Sequence, residues 1–228
     1  MKLLLNLVAI FTLSVLAFAQ NDSTGKIAYY DGYLLKDGIY LSVDEFKNNN
    51  PSYPIKGYGE FSDLLDGLGK TLFYKSKWVV TESSGLAYYL PSENVWGACI
   101  YGVPYYMNMQ RELFVKQHVF HEIKYIGWLC YLPIGKLVTE GGGTYPYYSG
   151  PTRTYYKYDN KILIISEEKL HDLDNDFISN FLATWDPEML IDFEKHVKKV
   201  KGKDVSLFWL RKFNEKHPLK IPETTEWE

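Results

Sequence analysis

The sequence predicts an α+β protein: an antiparallel β meander or small barrel-like sheet, followed by a C-terminal segment of about three helices. Aromatic residues make up 17% of the chain, and in its middle they lie among β-branched residues, a composition that favours strands. After Ser166 the spacing of apolar residues changes to about 3.6, the period of an amphipathic helix. We therefore expect a single β-rich domain over residues 20–228, with a helical tail from about residue 166.

The first residues have the pattern of a signal peptide. Lys2 is followed by an apolar run and then by the small-x-small triplet Ala17, Phe18 and Ala19. The run is barely long enough to span a bilayer, and the residues after it are polar without a cluster of positive charge. We therefore expect residues 1–19 to be a signal peptide cleaved after Ala19, and the protein to be secreted or periplasmic rather than integral to a membrane.

A strand and a short helix are predicted next. Residues 38–42 predict the strand, and residues 43–48 predict the helix, with Ser42 and Glu45 in capping-box positions and Pro51 ending the element.

A run of short strands is predicted between Thr71 and about Leu137. Its members are residues 72–80, 86–90, 95–100, 104–107, 112–117, 118–126 and 128–132. Gly102 can adopt the positive φ of a tight hairpin, and Gly127 marks a bulge or bend between strand segments. These turns indicate antiparallel neighbours, and residues 161–165 predict a last strand before the helices.

Three helices are predicted in the tail. The first, over residues 174–184, is packed by apolar residues at helical spacing: Leu170, Leu173, Phe177, Phe181 and Trp185. Asp186 caps the second helix, which Gly202 ends. Asp204 caps the third, in which Phe208 and Trp209 are expected to face inward. These helices should cover one face or edge of the sheet.

The charge of the chain argues against a nucleic-acid surface. Its formal net charge is −3, with acidic and basic residues interspersed. One basic cluster lies near the end of the second predicted helix: Lys195, Lys198, Lys199, Lys201 and Lys203. Because cations suit the C-terminus of a helix, a solvated helix face is the simpler interpretation of this cluster.

The two cysteines leave two alternatives open. Cys99 and Cys130 each lie in an apolar, strand-like segment, and neighbouring strands could bring them together. In an oxidising compartment a bridge between them would stabilise the fold by about 3 to 4 kcal/mol. The alternative is two buried thiols that pack as small apolar side chains.

Four segments carry shared strand and hairpin motifs: residues 36–52, 95–107, 120–131 and 186–218. The motifs are Gly-Ile-Tyr-Leu-Ser at 38–42, Trp-Gly at 96–97 in a hairpin, and Ile-Gly-x-x-x-Tyr at 126–131. In these the chain resembles a family of uncharacterised bacterial secreted proteins. Relatives often have an acid before the hairpin glycine, where this chain has Tyr101. The resemblance implies an envelope or extracellular location and carries no catalytic residues over.

A tyrosine-rich stretch over residues 144–158 is the strongest indication of function. Glycine and proline punctuate it, which predicts a loop or a β-hairpin. Tyrosine offers rigid contact area and a hydroxyl, which suits binding of sugars, peptides or a protein partner. The predicted binding residues are Tyr145, Tyr147, Tyr148, Arg153, Tyr155 and Tyr156. The alternative is that these tyrosines pack inward or form cross-strand pairs.

No motif predicts a catalytic centre, a metal site or a cofactor. His118, His121 and Glu122 are the tightest group of metal-ligand types, but strand positions three apart point to opposite faces, so two strand histidines with polar partners are the simpler interpretation. A pair of carboxylates across a groove would suit glycoside hydrolysis, and the β-rich part contains eight candidates: Asp31, Asp37, Glu60, Asp63, Glu82, Glu93, Glu112 and Glu122.

These observations favour a non-enzymatic binding or interaction domain of the cell envelope or exterior, whose partner is a glycan or an envelope protein. The alternative is a secreted hydrolase that acts on glycan or peptide. A structural component of a surface assembly is a third interpretation, which exposed apolar edges would support.

Overall fold

The fold is α+β. A computed structural model describes residues 25–29, 33–54, 72–81, 85–112, 115–140 and 153–222. The predicted signal peptide and its cleavage site lie outside these residues. Over the described ranges the sheets are antiparallel and open, and the helices lie mostly in the C-terminal half. The predicted fold class is confirmed.

The described elements are named in chain order. The strands are β1 (Lys26–Ala28), β2 (Gly38–Tyr40), β3 (Tyr53–Pro54), β4 (Leu72–Tyr74), β5 (Lys77–Thr81), β6 (Ala87–Pro91), β7 (Gly97–Ile100), β8 (Val103–Glu112), β9 (Val115–Glu122), β10 (Leu129–Glu140), β11 (Arg153–Ile164), β12 (Lys169–Asp172) and β13 (Lys220–Pro222). The α-helices are α1 (Val43–Lys47), α2 (Asn175–Trp185), α3 (Pro187–Lys199) and α4 (Ser206–Lys216). Within this part of the chain, no helix has both the length and the apolar character needed to cross a membrane.

The strands pair into antiparallel sheets. The largest has the order β3-β2-β7-β8-β9-β4, and a second has the order β10-β11-β12. β5 and β6 form a hairpin of their own. β1 pairs with β13, with Ile27 opposite Ile221, so the beginning and the end of the described chain lie together.

Alternating side chains divide the interior into three apolar clusters. On one face of the six-stranded sheet, Phe120 packs against Trp78 of the β5–β6 hairpin. On its other face, Cys99 lies in a cluster with Leu163 of the three-stranded sheet. The opposite face of the three-stranded sheet, which carries Ile162, packs against α2, α3 and α4. The three-stranded sheet is therefore buried on both faces where it passes under the helices.

β10 and β11 are much longer than predicted. They pair over twelve residues each, whereas residues 128–132 and 161–165 were predicted as strands and residues 144–158 as a loop or a β-hairpin. Pro133 and Gly135 break the apolar pattern of β10. Pro133 is tolerated because β10 is an edge strand, so one side of its backbone needs no ladder partner. The boundary between the strands predicted at 112–117 and 118–126 is misplaced, because β8 ends at Glu112 and a single strand, β9, runs over Val115–Glu122.

Side-chain caps explain where three of the described helices begin. Ser42 accepts the backbone N–H of Glu45 at 3.2 Å, as the capping box predicts. Asp174 accepts the N–H of Phe177 at 2.7 Å, and Asp186 accepts the N–H of Met189 at 3.1 Å. The cap predicted for α4 is displaced by one residue: Val205 is the N-cap, and Asp204 accepts the N–H of Ser206 instead.

The β7–β8 hairpin confirms the role predicted for Gly102. Its two turn residues, Tyr101 and Gly102, have φ values of 54° and 72°, the left-handed region that two-residue hairpins require. The N–H of Gly102 donates to the Asp37 carboxylate at 2.8 Å. The turn is thus bound by a carboxylate from a different part of the chain.

Both cysteines are free and fully buried. The Cys99 thiol donates to the carbonyl of Leu35 at 3.8 Å, and the Cys130 thiol donates to the carbonyl of Gly127 at 3.3 Å. Burial raises the pKa of Cys99 and raises that of Cys130 to about 12. The structure therefore has two neutral buried thiols, the second of the two alternatives, and no disulfide between them.

Candidate functional site

The tyrosine-rich stretch is described only from Arg153 onward; Tyr145, Tyr147 and Tyr148 lie outside the described residues. β11 places the backbone of Arg153 opposite Glu140 and that of Tyr156 opposite Leu137.

Two exposed tyrosines of this stretch, Tyr155 and Tyr158, are 41% and 48% accessible. They lie three positions apart on one strand and therefore on opposite faces. The Tyr155 hydroxyl donates to the Glu140 carboxylate at 2.6 Å, which raises the pKa of Tyr155. Tyr155 and Tyr158 thus do not share a surface.

The two strand histidines each have a buried ring nitrogen without a hydrogen-bond partner among the described residues, Nε2 in His118 and Nδ1 in His121, so the prediction that both have polar partners is met only in part. His121 is fully buried on β9, with its Nε2 atom 2.9 Å from the Gln110 amide nitrogen, and its Nδ1 atom has no hydrogen-bond partner. Burial lowers the pKa of His121 to about 4, so the ring is neutral at pH 7. Over the described residues, no three or more His, Cys, Asp or Glu side chains are grouped closely enough to hold a metal ion.

We expect this buried histidine to make the protein sensitive to mild acid. Its folded pKa of about 4 lies below the ordinary value of 6.5, so between these values the unfolded chain binds more protons and stability falls as the pH falls. From pH 7.5 to pH 5 the loss is about 2 kcal/mol. Urea unfolding at both pH values measures it. His121→Leu should lose this part of the pH dependence, and an unchanged pH dependence in that variant would contradict the assignment.

Two of the carboxylates proposed for glycoside hydrolysis have structural partners. Asp37 accepts the N–H of Gly102, and Glu122 pairs with Lys124 at 2.6 Å. Glu93 lies exposed in a single turn of 3₁₀ helix at Ser92–Asn94. Asp31, Glu60, Asp63 and Glu82 lie outside the described residues. No acid and base pair emerges from the carboxylates that are described.

In the part of the chain that the structure describes, a groove between α3 and α4 is a candidate binding site. It has a volume of about 810 Å³. α3 contributes Lys195, His196 and Lys199, and α4 contributes Phe208, Trp209 and Lys212. The six-residue connection at 200–205 returns the chain, so that the His196 ring lies 5.4 Å from the ring of Phe208. Aromatic and basic side chains therefore line the groove where α3 ends and α4 begins, and three carboxylates complete the lining: Glu188, Asp192 and Glu215.

The floor of the groove is fixed by a hydrogen bond between the helices. Trp209, which is buried, donates its Nε1–H to the Nδ1 atom of His196 at 3.0 Å. The Trp209 ring also packs edge-on against Phe193, 5.8 Å away. Because Nδ1 accepts this bond, the proton of the neutral His196 ring is on Nε2, which is left as a donor.

The wall of the groove presents an aromatic face with a cation above it. Phe208 is 46% exposed, although the helical pattern predicted that it faces inward. The Lys212 ammonium lies 5.0 Å from the centre of the Phe208 ring and 5.1 Å from that of Trp209, within the range of cation–π attraction. Adjacent residues of a helix point about 100° apart, and the buried face of α4 carries Trp209, Leu210 and Phe213, so Phe208 lies at the edge of that face.

No family model, curated protein or solved structure matches this chain. The resemblance to a family of secreted proteins therefore stays a prediction. The chemistry of the groove has to be interpreted from its own residues.

The groove residues combine three kinds of contact: a half-exposed aromatic ring at Phe208, a hydrogen-bond donor at His196, and cations at Lys199 and Lys212. Concave sites of this kind, with apolar surface and a few placed polar groups, are typical of ligand binding. Of the features of this site, the sequence indicated only the cluster of lysines near the end of α3. The pairing of His196 with Trp209 depends on how two helices pack, which residue spacing does not reveal.

Proposed function

We propose that this protein is a non-enzymatic binding domain of the cell envelope or exterior, and that it binds a glycan in the α3–α4 groove. The observation that carries the proposal is the half-exposed ring of Phe208 beside the His196 donor. A flat aromatic face packs against the apolar face of a sugar ring, while the donor and the lysines reach its hydroxyls. The predicted signal peptide supports a location in the cell envelope or exterior, where glycans are present.

Two carboxylates at the groove are held in ion pairs, and His196 is held in a hydrogen bond. Asp192 is engaged by Lys195 at 3.2 Å, and Asp186 by Lys216 at 2.7 Å. The Nδ1 atom of His196 already accepts the Trp209 proton, so the ring lacks the free acceptor that a general base needs.

A glycan array with the purified protein tests the proposal. We expect specific retention that is about tenfold weaker in Phe208→Ala, because stacking residues at the centre of a site contribute more than 1 kcal/mol. Tyr89→Ala is the matched control, since it removes an aromatic ring that is 64% exposed on β6, far along the chain from the groove.

A second variant separates the groove from the tyrosine-rich stretch. The double variant Tyr147→Ala and Tyr148→Ala should bind as the unchanged protein does if the groove is the site. Loss of retention in this variant together with normal binding by Phe208→Ala would assign the contact surface to the tyrosines. An array without any specific retention would count against glycan binding altogether.

A further inference from the structure

Some of the lysines along the α3–α4 groove form ion pairs and others do not. Lys195 and Lys216 each have a carboxylate partner, Asp192 and Asp186. Among the residues that the structure describes, Lys199 and Lys212 form no ion pair; the only contacts found for Lys212 are with the two aromatic rings. Two lysines without a carboxylate partner among these residues therefore lie near the Phe208 ring, whereas Glu188 and Glu215 line the opposite end of the groove, at the start of α3 and the end of α4.

The connection after α3 extends this positive region. Lys198 is exposed next to Lys199, and Lys201 and Lys203 are exposed in the turn that leads to α4. Like charges three or four positions apart on a helix, such as those of Lys195 and Lys199, repel by a few tenths of a kcal/mol. On a chain whose formal charge is −3, this concentration of cations is complementary to an anion.

The shape of the site favours a polymer over a membrane surface. A membrane-binding helix projects its apolar side chains into the lipid, beside basic ones. In the groove, Trp209 and Met189 are buried, and Phe208 is only half exposed in a concave wall. Cations that line a concave site can reach the charges along a chain that lies within it.

We infer that the ligand is an acidic polysaccharide, whose sugar ring packs on Phe208 and whose carboxylates are bound by Lys199 and Lys212. This inference rests on the proposed function, and it specifies that the bound glycan is negatively charged. The lysine cluster, which suits the dipole of α3, then has a second role in binding.

Binding to polygalacturonate and to its methyl ester tests the inference, because the two polymers share a backbone and differ in charge. Isothermal titration should show at least tenfold tighter binding of the acid form at low salt, and the difference should shrink at 0.5 M NaCl because exposed charges are screened. Equal affinity for the two polymers would overturn the inference and leave glycan binding standing. Failure to bind either polymer would also overturn it, while the array decides the proposed function separately.

Single substitutions locate the charge contacts. Lys199→Gln and Lys212→Gln should each weaken polygalacturonate binding about three- to tenfold and leave binding of the ester unchanged. Lys169→Gln, which removes an exposed lysine on β12, is the control and should bind both polymers normally. Vesicles of phosphatidylglycerol and phosphatidylcholine form the last arm; preference for these vesicles over polygalacturonate would overturn the inference in favour of a lipid surface.

Discussion

Replacing Asn214 by alanine is expected to lower the free energy of unfolding by about 3 kcal/mol. The Asn214 amide is buried, and it makes two hydrogen bonds to one residue: Oδ1 accepts the N–H of Leu129 at 3.1 Å, and Nδ2 donates to the carbonyl of Leu129 at 2.8 Å. Leu129 is itself fully buried at the start of β10. Alanine would leave both backbone groups unpaired without access to water, at about 1–3 kcal/mol each.

Urea unfolding at pH 7 measures this effect, with Asn180→Ala as the control. Asn180 is exposed on α2, so its replacement should change stability by less than about 0.5 kcal/mol. Equal stability of Asn214→Ala and Asn180→Ala would show that Asn214 does not hold β10 to α4.

The same contact explains why position 127 is a glycine. A Cβ atom built at Gly127 would overlap the side-chain amide of Asn214. Gly127→Ala should therefore destabilise the protein by displacing Asn214. In the double variant with Asn214→Ala the overlap disappears, so the combined loss should be smaller than the sum of the two single losses. Additive losses would mean that Gly127 is required for a different reason.

The sequence predicts the C-terminal helices better than the sheets because their signals are local. The caps Asp174 and Asp186 lie next to the helices that they begin, and the apolar period runs through each helix. Strand pairing depends on distant residues. The bend at Gly127 was correctly placed, but the close contact that requires a glycine there is with Asn214, 87 positions further along the chain. The pairing of β1 with β13 has no local signal at all.

The candidate site likewise combines a feature that is local in the sequence with contacts between distant residues. The lysines near the end of α3 are visible in the sequence as a cluster, and they favoured a solvated helix face because that needs no partner. These lysines form one side of a groove because the neighbouring helix, α4, places Phe208 beside His196. α4 also carries Lys212, whose ammonium lies over the Phe208 ring. The helical period placed Phe208 with the core residues, since it is adjacent to Trp209, and could not tell which of the two rings remains exposed.

Replacing Asp186 is expected to have an effect of similar size, because one buried carboxylate joins the start of α3 to the end of α4. Its side chain is 6% exposed, and its Oδ1 atom caps α3 through the N–H of Met189. Its Oδ2 atom lies 2.7 Å from the Lys216 ammonium and 2.9 Å from Nε2 of His217, at the end of α4. Alanine removes the cap and leaves these donors without the carboxylate, so we expect a loss of about 2 to 4 kcal/mol.

The charge of Asp186 can be tested apart from its cap. Burial opposes its ionisation, but hydrogen bonds from His217, Lys216 and the Met189 N–H outweigh burial and hold the pKa of Asp186 at about 2. A folded pKa below the ordinary value of 3.8 means that the stabilisation is complete above about pH 4 and is lost as the pH falls through 2. Asp186→Asn keeps a side-chain acceptor for the Met189 N–H and removes the charge.

Urea unfolding of Asp186→Asn should therefore show reduced stability at pH 7 and a difference from the unchanged protein that narrows as the pH approaches 2. Asp192→Asn is the control, because the pair of Asp192 with Lys195 is about 70% exposed on both sides and should contribute less than about 1 kcal/mol. If Asp186→Asn were as stable as the control at pH 7, the carboxylate would act only as a helix cap. A difference that appears at pH 7 and disappears in acid would instead identify Asp186 as the charged link between the start of α3 and the end of α4, the two helices that form the groove.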